Sequence, residues 1–162
     1  MFQIDQHQTL MYRIHASVDS GMFKGVFADV DGQKVDITKN GQLSCAVYVS
    51  ALLLMSGTID TMTATVKGLE NALRQSGWVS TAYLYRGAVV IWFPQEQADG
   101  RKHEHAGFVL SDRMAVSHSD IARCPVEHEL YFGGKRLIKA AYIHPRLHEN
   151  VNSLEVYKEE MV

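Results

Sequence analysis

The sequence predicts an α+β fold in which a buried helix packs on an antiparallel sheet. Three observations carry that expectation. The stretch from Ser44 to Gly57 is apolar nearly all round, a second segment beyond it is amphipathic, and after Trp78 short apolar runs alternate with turn residues. Helices come first and a meander of strands second.

The elements follow in chain order. Gly25 to Val30 and Gln33 to Ile37 read as two short strands around an Asp31-Gly32 turn, a pair suited to positive φ. Ser44 is a good N-cap and Gly57 a good stop, so the apolar segment between them is a buried helix. Thr61 to Ser76 is a second helix, with Val66, Leu69, Ala72 and Leu73 on one face and Gly77 at its end. Gly87 to Phe93 is a strand ended by Pro94, followed by a polar loop from Gln95 to Lys102. His105 to Leu110 and Met114 to His118 form a hairpin across Ser111-Asp112, and Leu137 to Ile143 is the last strand. The charged tail from Arg146 is a peripheral coil or short helix.

Composition bounds the function. The chain has 162 residues, 46% hydrophobic and 21% charged, as expected of one globular domain. A formal net charge of -2 gives no basic footprint for nucleic acid. No run approaches the ~20 apolar residues of a membrane span. The opening MFQIDQHQTL has no basic-then-apolar signal pattern, so as written the chain is expected in the cytoplasm, or released by a non-classical route. Oligomeric state has no signature.

Cys45 falls in the first turn of the buried helix, where unpaired N–H groups and the macrodipole favour a thiolate. Most lone cysteines simply pack. A nucleophilic one needs a base and a group to orient it. His105 opens a strand about sixty residues downstream. A two-residue turn at Ser111-Asp112 would set His105 opposite His118, with Cβ atoms ~5 Å apart. A turn longer by one residue would favour Ser117 instead, so both remain candidates for the third position.

These segments resemble a known family. Leu43-Ser-Cys-Ala-Val-Tyr-Val-Ser50 is similar to the cysteine-bearing helix of papain-like NlpC and CHAP cysteine peptidases and amidases. Gly87-Ala-Val-Val-Ile-Trp92 and His105-Ala-Gly-Phe-Val-Leu110 resemble their next two strands. The likeness covers roughly residues 41–120. Ser44 and Ala46 flank the cysteine where an acid or small polar residue and Ser or Gly are usual, and Arg86-Gly87-Ala88 stands where Pro-Gly-Asp is common.

The resemblance implies a papain-like fold and one cysteine-hydrolase-like domain over 1–162, with 1–40 and 146–162 peripheral. It implies hydrolysis of peptide or peptidoglycan amides through an acyl-thioester, with Cys45 as nucleophile, His105 as base and His118 or Ser117 as orienter. A thiolate–imidazolium pair near neutral pH is expected. Tyr48, Trp92 and His103 are candidates to touch substrate. The alternatives are a non-catalytic module on the same scaffold, or an acyltransferase or deamidase acting on a protein.

His103 and His105 alternate on a strand, and Glu127-His128-Glu129 lies further on, but no spacing yields three convergent ligands. Neither metal nor cofactor is expected, and His128 is read as a loop histidine near the cleft. Cys124 is read as a semi-buried free thiol.

Overall fold

The computed structural model describes residues 1–148. The expectation for the tail beyond His148 lies outside the described residues; before it, Pro145–His148 (α4) forms one helical turn.

A six-stranded antiparallel sheet organises the fold. Its strands are β3 (Val79–Ser80), β4 (Val89–Glu96), β5 (Lys102–Val109), β6 (Met114–His118), β7 (Pro125–Glu129) and β8 (Ile138–Ile143), in the order β3-β8-β4-β5-β6-β7. β4 and β5 are central, and their segments Val89–Trp92 and Ala106–Val109 are buried on both faces, which is why these stretches are continuously apolar rather than alternating. On one face Val89, Ile91, Ala106, Phe108 and Val116 meet the helices. On the other, Val90, Trp92, Val109, Ala115 and Ile138 pack under Leu84, Tyr85 and Leu130. The fold is α+β.

The helical layer comprises α1 (Gln6–Ser17), α2 (Cys45–Met55) and α3 (Val66–Gln75). α2 is the buried helix of the sequence, with Tyr48, Val49 and Leu53 wholly inaccessible. α3 starts later than Thr61: Thr65 caps it by accepting from the Gly68 amide at 3.0 Å, and the threonine-rich stretch before it stays extended or turned. α1 is not foreseen by the sequence reading. Asp5 caps it through the Gln8 amide at 2.9 Å, and Leu10, Met11 and Ile14 bury its one short apolar stripe.

β1 (Phe27–Val30) and β2 (Gln33–Asp36) form the expected separate hairpin. Its turn residues Asp31 and Gly32 both take positive φ, 51° and 77°, as a tight two-residue turn requires.

The sheet departs from expectation in several places, and β5 begins at Lys102, so His105 lies within its strand and does not open it. Pro94 does not end β4; the strand continues to Glu96 through an irregularity between Trp92 and Gln95 that removes the proline from the ladder. β7 occupies the stretch read as a loop, pairing along its length with β6. The β5–β6 turn holds three residues, because the Leu110 amide donates to the Met114 carbonyl at 2.9 Å. The register is therefore Gly107↔Ser117, Phe108↔Val116 and Val109↔Ala115. A one-residue slip exchanges the faces of every side chain on a strand. It takes His118 away from His105 and brings Ser117 to His105's face.

Gly107 permits this close packing. A Cβ there would lie 2.5 Å from the Val116 carbonyl oxygen, 2.9 Å from Ser117 Cβ and 3.0 Å from the Trp92 ring. Gly107→Ala is expected to cost about 2–3 kcal/mol in a urea titration, from overpacking against backbone that cannot yield. Among the described residues no helix is long and apolar enough to cross a membrane.

Candidate active site around Cys45 and His105

Ser44 occupies the N-cap of α2 but does not cap it: its hydroxyl donates to the Phe23 carbonyl at 2.8 Å. The first-turn amides of the helix are left to other partners. The amides of Cys45 itself and Ala46, with the Ala106 N–H of β5, lie close enough to the thiol to favour its charged form, though none makes a hydrogen bond to it of normal geometry.

The ladder explains why the Ala106 amide is open. Antiparallel pairs alternate, and the Leu110–Met114 bond places the Ala106 N–H on the β6 side. β6 pairs only as far as Ser117↔Gly107, so beyond that point β5 has a free edge. Cys45 meets the sheet at this edge, against the peptide that follows His105.

His105 lies on the face away from α2. It pairs in register with Trp92, and the ring centroids are 5.5 Å apart. Its Nε2 is 2.8 Å from Ser117 Oγ, which in turn is 2.7 Å from His128 Nε2. His128 Nδ1 donates to the Glu129 carbonyl at 2.8 Å, and its ring stacks on Phe132 with centroids 4.1 Å apart. His105 Nδ1 is buried and has no hydrogen-bond partner, so no hydrogen bond joins thiol and imidazole.

The charge state differs from the expected ion pair. Burial pushes the Cys45 thiol up, although the residue keeps part of its surface; the three amides and the Arg136 charge oppose this without reversing it. Burial pulls His105 well below its usual value, with the charges of Arg136, His128 and His118 adding to the effect. At neutral pH the pair rests as thiol and neutral imidazole. A neutral imidazole with a free Nδ1 can still serve as a base.

Arg136 is the site residue that the sequence reading missed. It is 7% exposed, its Nε donates to the Phe93 carbonyl at 2.9 Å, and its Nη2 donates to the His103 carbonyl at 2.6 Å. No carboxylate contacts it among the described residues; its favourable charge interactions are with Cys45 first and Asp120 second. A basic residue just after Gly133-Gly134-Lys135 has no local pattern to mark it, and only the approach of β8 to β4 brings it here.

Arg136→Gln is expected to slow alkylation of Cys45 about three- to tenfold near pH ~8, since a cation that favours the thiolate is lost. Arg136→Lys keeps the charge and should recover most of the rate. Equal rates in all three proteins would remove Arg136 from the site.

Several expected site residues lie elsewhere. His118 does not orient His105: the three-residue turn puts it on the helical face, 6.3 Å from the Phe23 and Tyr48 rings. Burial pushes it down to about 4, and neither ring nitrogen has a hydrogen-bond partner; a Ser119 backbone group nearby softens the shift without normal hydrogen-bond geometry. Tyr48 does not wall the nucleophile, being fully buried with its hydroxyl 2.8 Å from Ser17 Oγ. Trp92 lines no cleft: it is inaccessible, and Nε1 donates to the Leu130 carbonyl at 2.8 Å. His103 turns its Nε2 to Asp99 at 2.8 Å. His128 belongs to β7 and not to a loop.

Cys45 and Cys124 are both free thiols. Among the described residues no group of three or more His, Cys, Asp or Glu side chains is placed to hold a metal ion. Set against protein-family models, curated proteins and solved structures, the chain matches none.

Proposed function

We propose that the protein is a papain-like cysteine hydrolase of peptide amides, with peptidoglycan peptides as its substrate class. One observation carries the reading. A helix-tip cysteine lies against the amide of the residue after His105, close enough for that amide to favour its thiolate, while Ser117 holds the histidine by Nε2 and leaves Nδ1 free. A cysteine helix followed by a second helix and an antiparallel histidine strand also supports the resemblance on which the fold assignment rests.

The chemistry would run as follows. As substrate displaces water, His105 Nδ1 takes the Cys45 proton and the thiolate attacks the amide carbonyl. The first-turn amides of α2 stabilise the oxyanion. The C–N bond breaks as the imidazolium protonates the leaving amine, forming a thioester. His105 then removes a proton from water, the resulting hydroxide attacks the thioester, and the C–S bond breaks to restore the thiol. Ser117 supports the ring throughout.

A non-catalytic module on the same scaffold is the second reading, favoured by the raised thiol and by the missing Cys45–His105 hydrogen bond. An acyltransferase or deamidase would share the thioester and differ only in what accepts the acyl group. Incubation with p-nitrophenyl acetate separates the main readings. A burst of nitrophenol with an acetyl group on Cys45 and not on Cys124 supports the hydrolase. No acyl-enzyme at Cys45 contradicts it. Purified wall peptides, assayed for newly freed amines, then test the substrate class.

A further inference from the structure

Resting on the reading of His105 as general base, we infer that Ser117 and His128 form a directional hydrogen-bond relay that fixes the tautomer of His105, with His128 as a positioning residue whose protonation reverses the relay. The relay is anchored on an acceptor that cannot change roles. The Glu129 carbonyl only accepts, so His128 Nδ1 carries a proton. In neutral His128 the other nitrogen, Nε2, is then an acceptor, and the Ser117 hydroxyl 2.7 Å away must donate to it. A serine has one proton to give, so towards His105 Nε2, at 2.8 Å, its oxygen accepts. His105 therefore carries its proton on Nε2 and presents a bare Nδ1, the atom that has no partner inside the protein.

Local structure holds the relay in place. The β6–β7 register sets His128 opposite Ala115 and Val126 opposite Ser117, so Ser117 and His128 are diagonal neighbours on one face. Trp92 lies against both imidazoles, with centroids 5.5 and 5.6 Å away, and Phe132 stacks on His128. Neither ring can turn over without displacing these aromatic neighbours.

Charging His128 inverts the direction. With protons on both nitrogens it donates to Ser117, whose own proton must then point at His105 Nε2. Neutral His105 is left protonated at Nδ1 and is no longer a base toward Cys45. The protons balance: one net proton is taken from solvent and ends on His105 Nδ1, the Nε2 proton passes to Ser117, and the serine proton passes to His128. The groups facing His128 are neutral His105 through Ser117 from β5, and Arg136 from the segment before β8, whose charge opposes the charging of His128. The Glu127 and Glu129 side chains, exposed on the same strand, project to the other face by alternation. Burial and Arg136 hold His128 below the ordinary histidine range, so the relay is set for catalysis at neutral pH and is lost as pH falls through that lowered value. His105 lies lower still and remains neutral over this interval.

The test is imidazole nitrogen NMR on the native, histidine-labelled protein between pH ~8 and ~4, read alongside iodoacetamide alkylation of Cys45. At the upper pH the relay requires His105 protonated at Nε2 and His128 at Nδ1. On acidification His105 should cross to the Nδ1 tautomer at the midpoint where His128 gains charge, and Cys45 alkylation should fall about tenfold with it. His128→Gln retains a neutral acceptor for Ser117, so His105 should keep its Nε2 proton and the alkylation step should vanish. His105 found with its proton on Nδ1 at the upper pH, or unmoved while His128 titrates, would overturn the relay. The expected tautomers with an unreactive Cys45 would uphold the relay and remove the hydrolase reading instead.

Discussion

Cys45→Ala is expected to abolish ester and amide turnover, with a loss of at least about four orders of magnitude, while the protein stays folded. The magnitude follows from removing the only atom that can form the acyl intermediate, since deleting one member of a nucleophile–base pair costs nearly as much as deleting both. The fold should survive because Cys45 sits at the partly exposed first turn of α2 and not at its packed centre. Circular dichroism and thermal melting alongside the turnover assay check both halves. Cys124→Ala, at the other free thiol, should leave turnover unchanged. Residual activity in Cys45→Ala would contradict the mechanism.

The largest expected effect on stability comes from Trp92→Ala. The indole is inaccessible, donates to the Leu130 carbonyl, and touches His105, His128 and Phe132. Truncation empties a large volume between two strands and orphans a buried carbonyl, at about 3–5 kcal/mol. In a chain of this size that lowers the melting midpoint by roughly 10 °C. The same change frees the two imidazoles, so alkylation of Cys45 should also lose its dependence on His105. Trp92→Phe keeps most of the volume and loses the indole bond, so about 1–2 kcal/mol is expected. A loss below about 1 kcal/mol in Trp92→Ala, by urea titration, would mean that this face is loosely packed.

What the sequence revealed, and what it hid, follows the range of the forces involved. The Asp31-Gly32 hairpin and the buried α2 are visible because local chemistry decides them: two positive-φ positions in one case, and an apolar circumference bounded by Ser and Gly in the other. The strand at Gly87–Phe93 is visible for the same reason, an apolar run long enough to be buried on both faces.

Which of Ser117 and His118 faces His105 was not decidable locally. It depended on whether the turn after Leu110 holds two residues or three, and Ser111 settles that by accepting from the Arg113 and Met114 amides at 3.2 and 3.1 Å. A serine at the start of a turn is a usable signal for the longer turn. α1 is hard to see in the sequence because its polar residues outnumber the three apolar ones that it buries, although Asp5 followed by Leu10, Met11 and Ile14 marks a capped helix. β7 was obscured by charge: Glu127 and Glu129 face solvent on an edge strand, so the alternation reads as a loop. Arg136 and the pairing of His128 with Ser117 are tertiary facts, set by which strands become neighbours.

The coupling of Cys45 to His105 is the point on which the proposed function stands. Iodoacetamide labelling of the native protein at pH ~7, with mass spectrometry to place the adduct, measures it in the wild type and in His105→Ala. A base-assisted thiol should react at Cys45 faster than at Cys124, and His105→Ala should slow Cys45 at least about tenfold while leaving Cys124 unchanged. A Cys45 no more reactive than Cys124, or one indifferent to His105, would contradict the nucleophile–base pair and leave a binding module in its place.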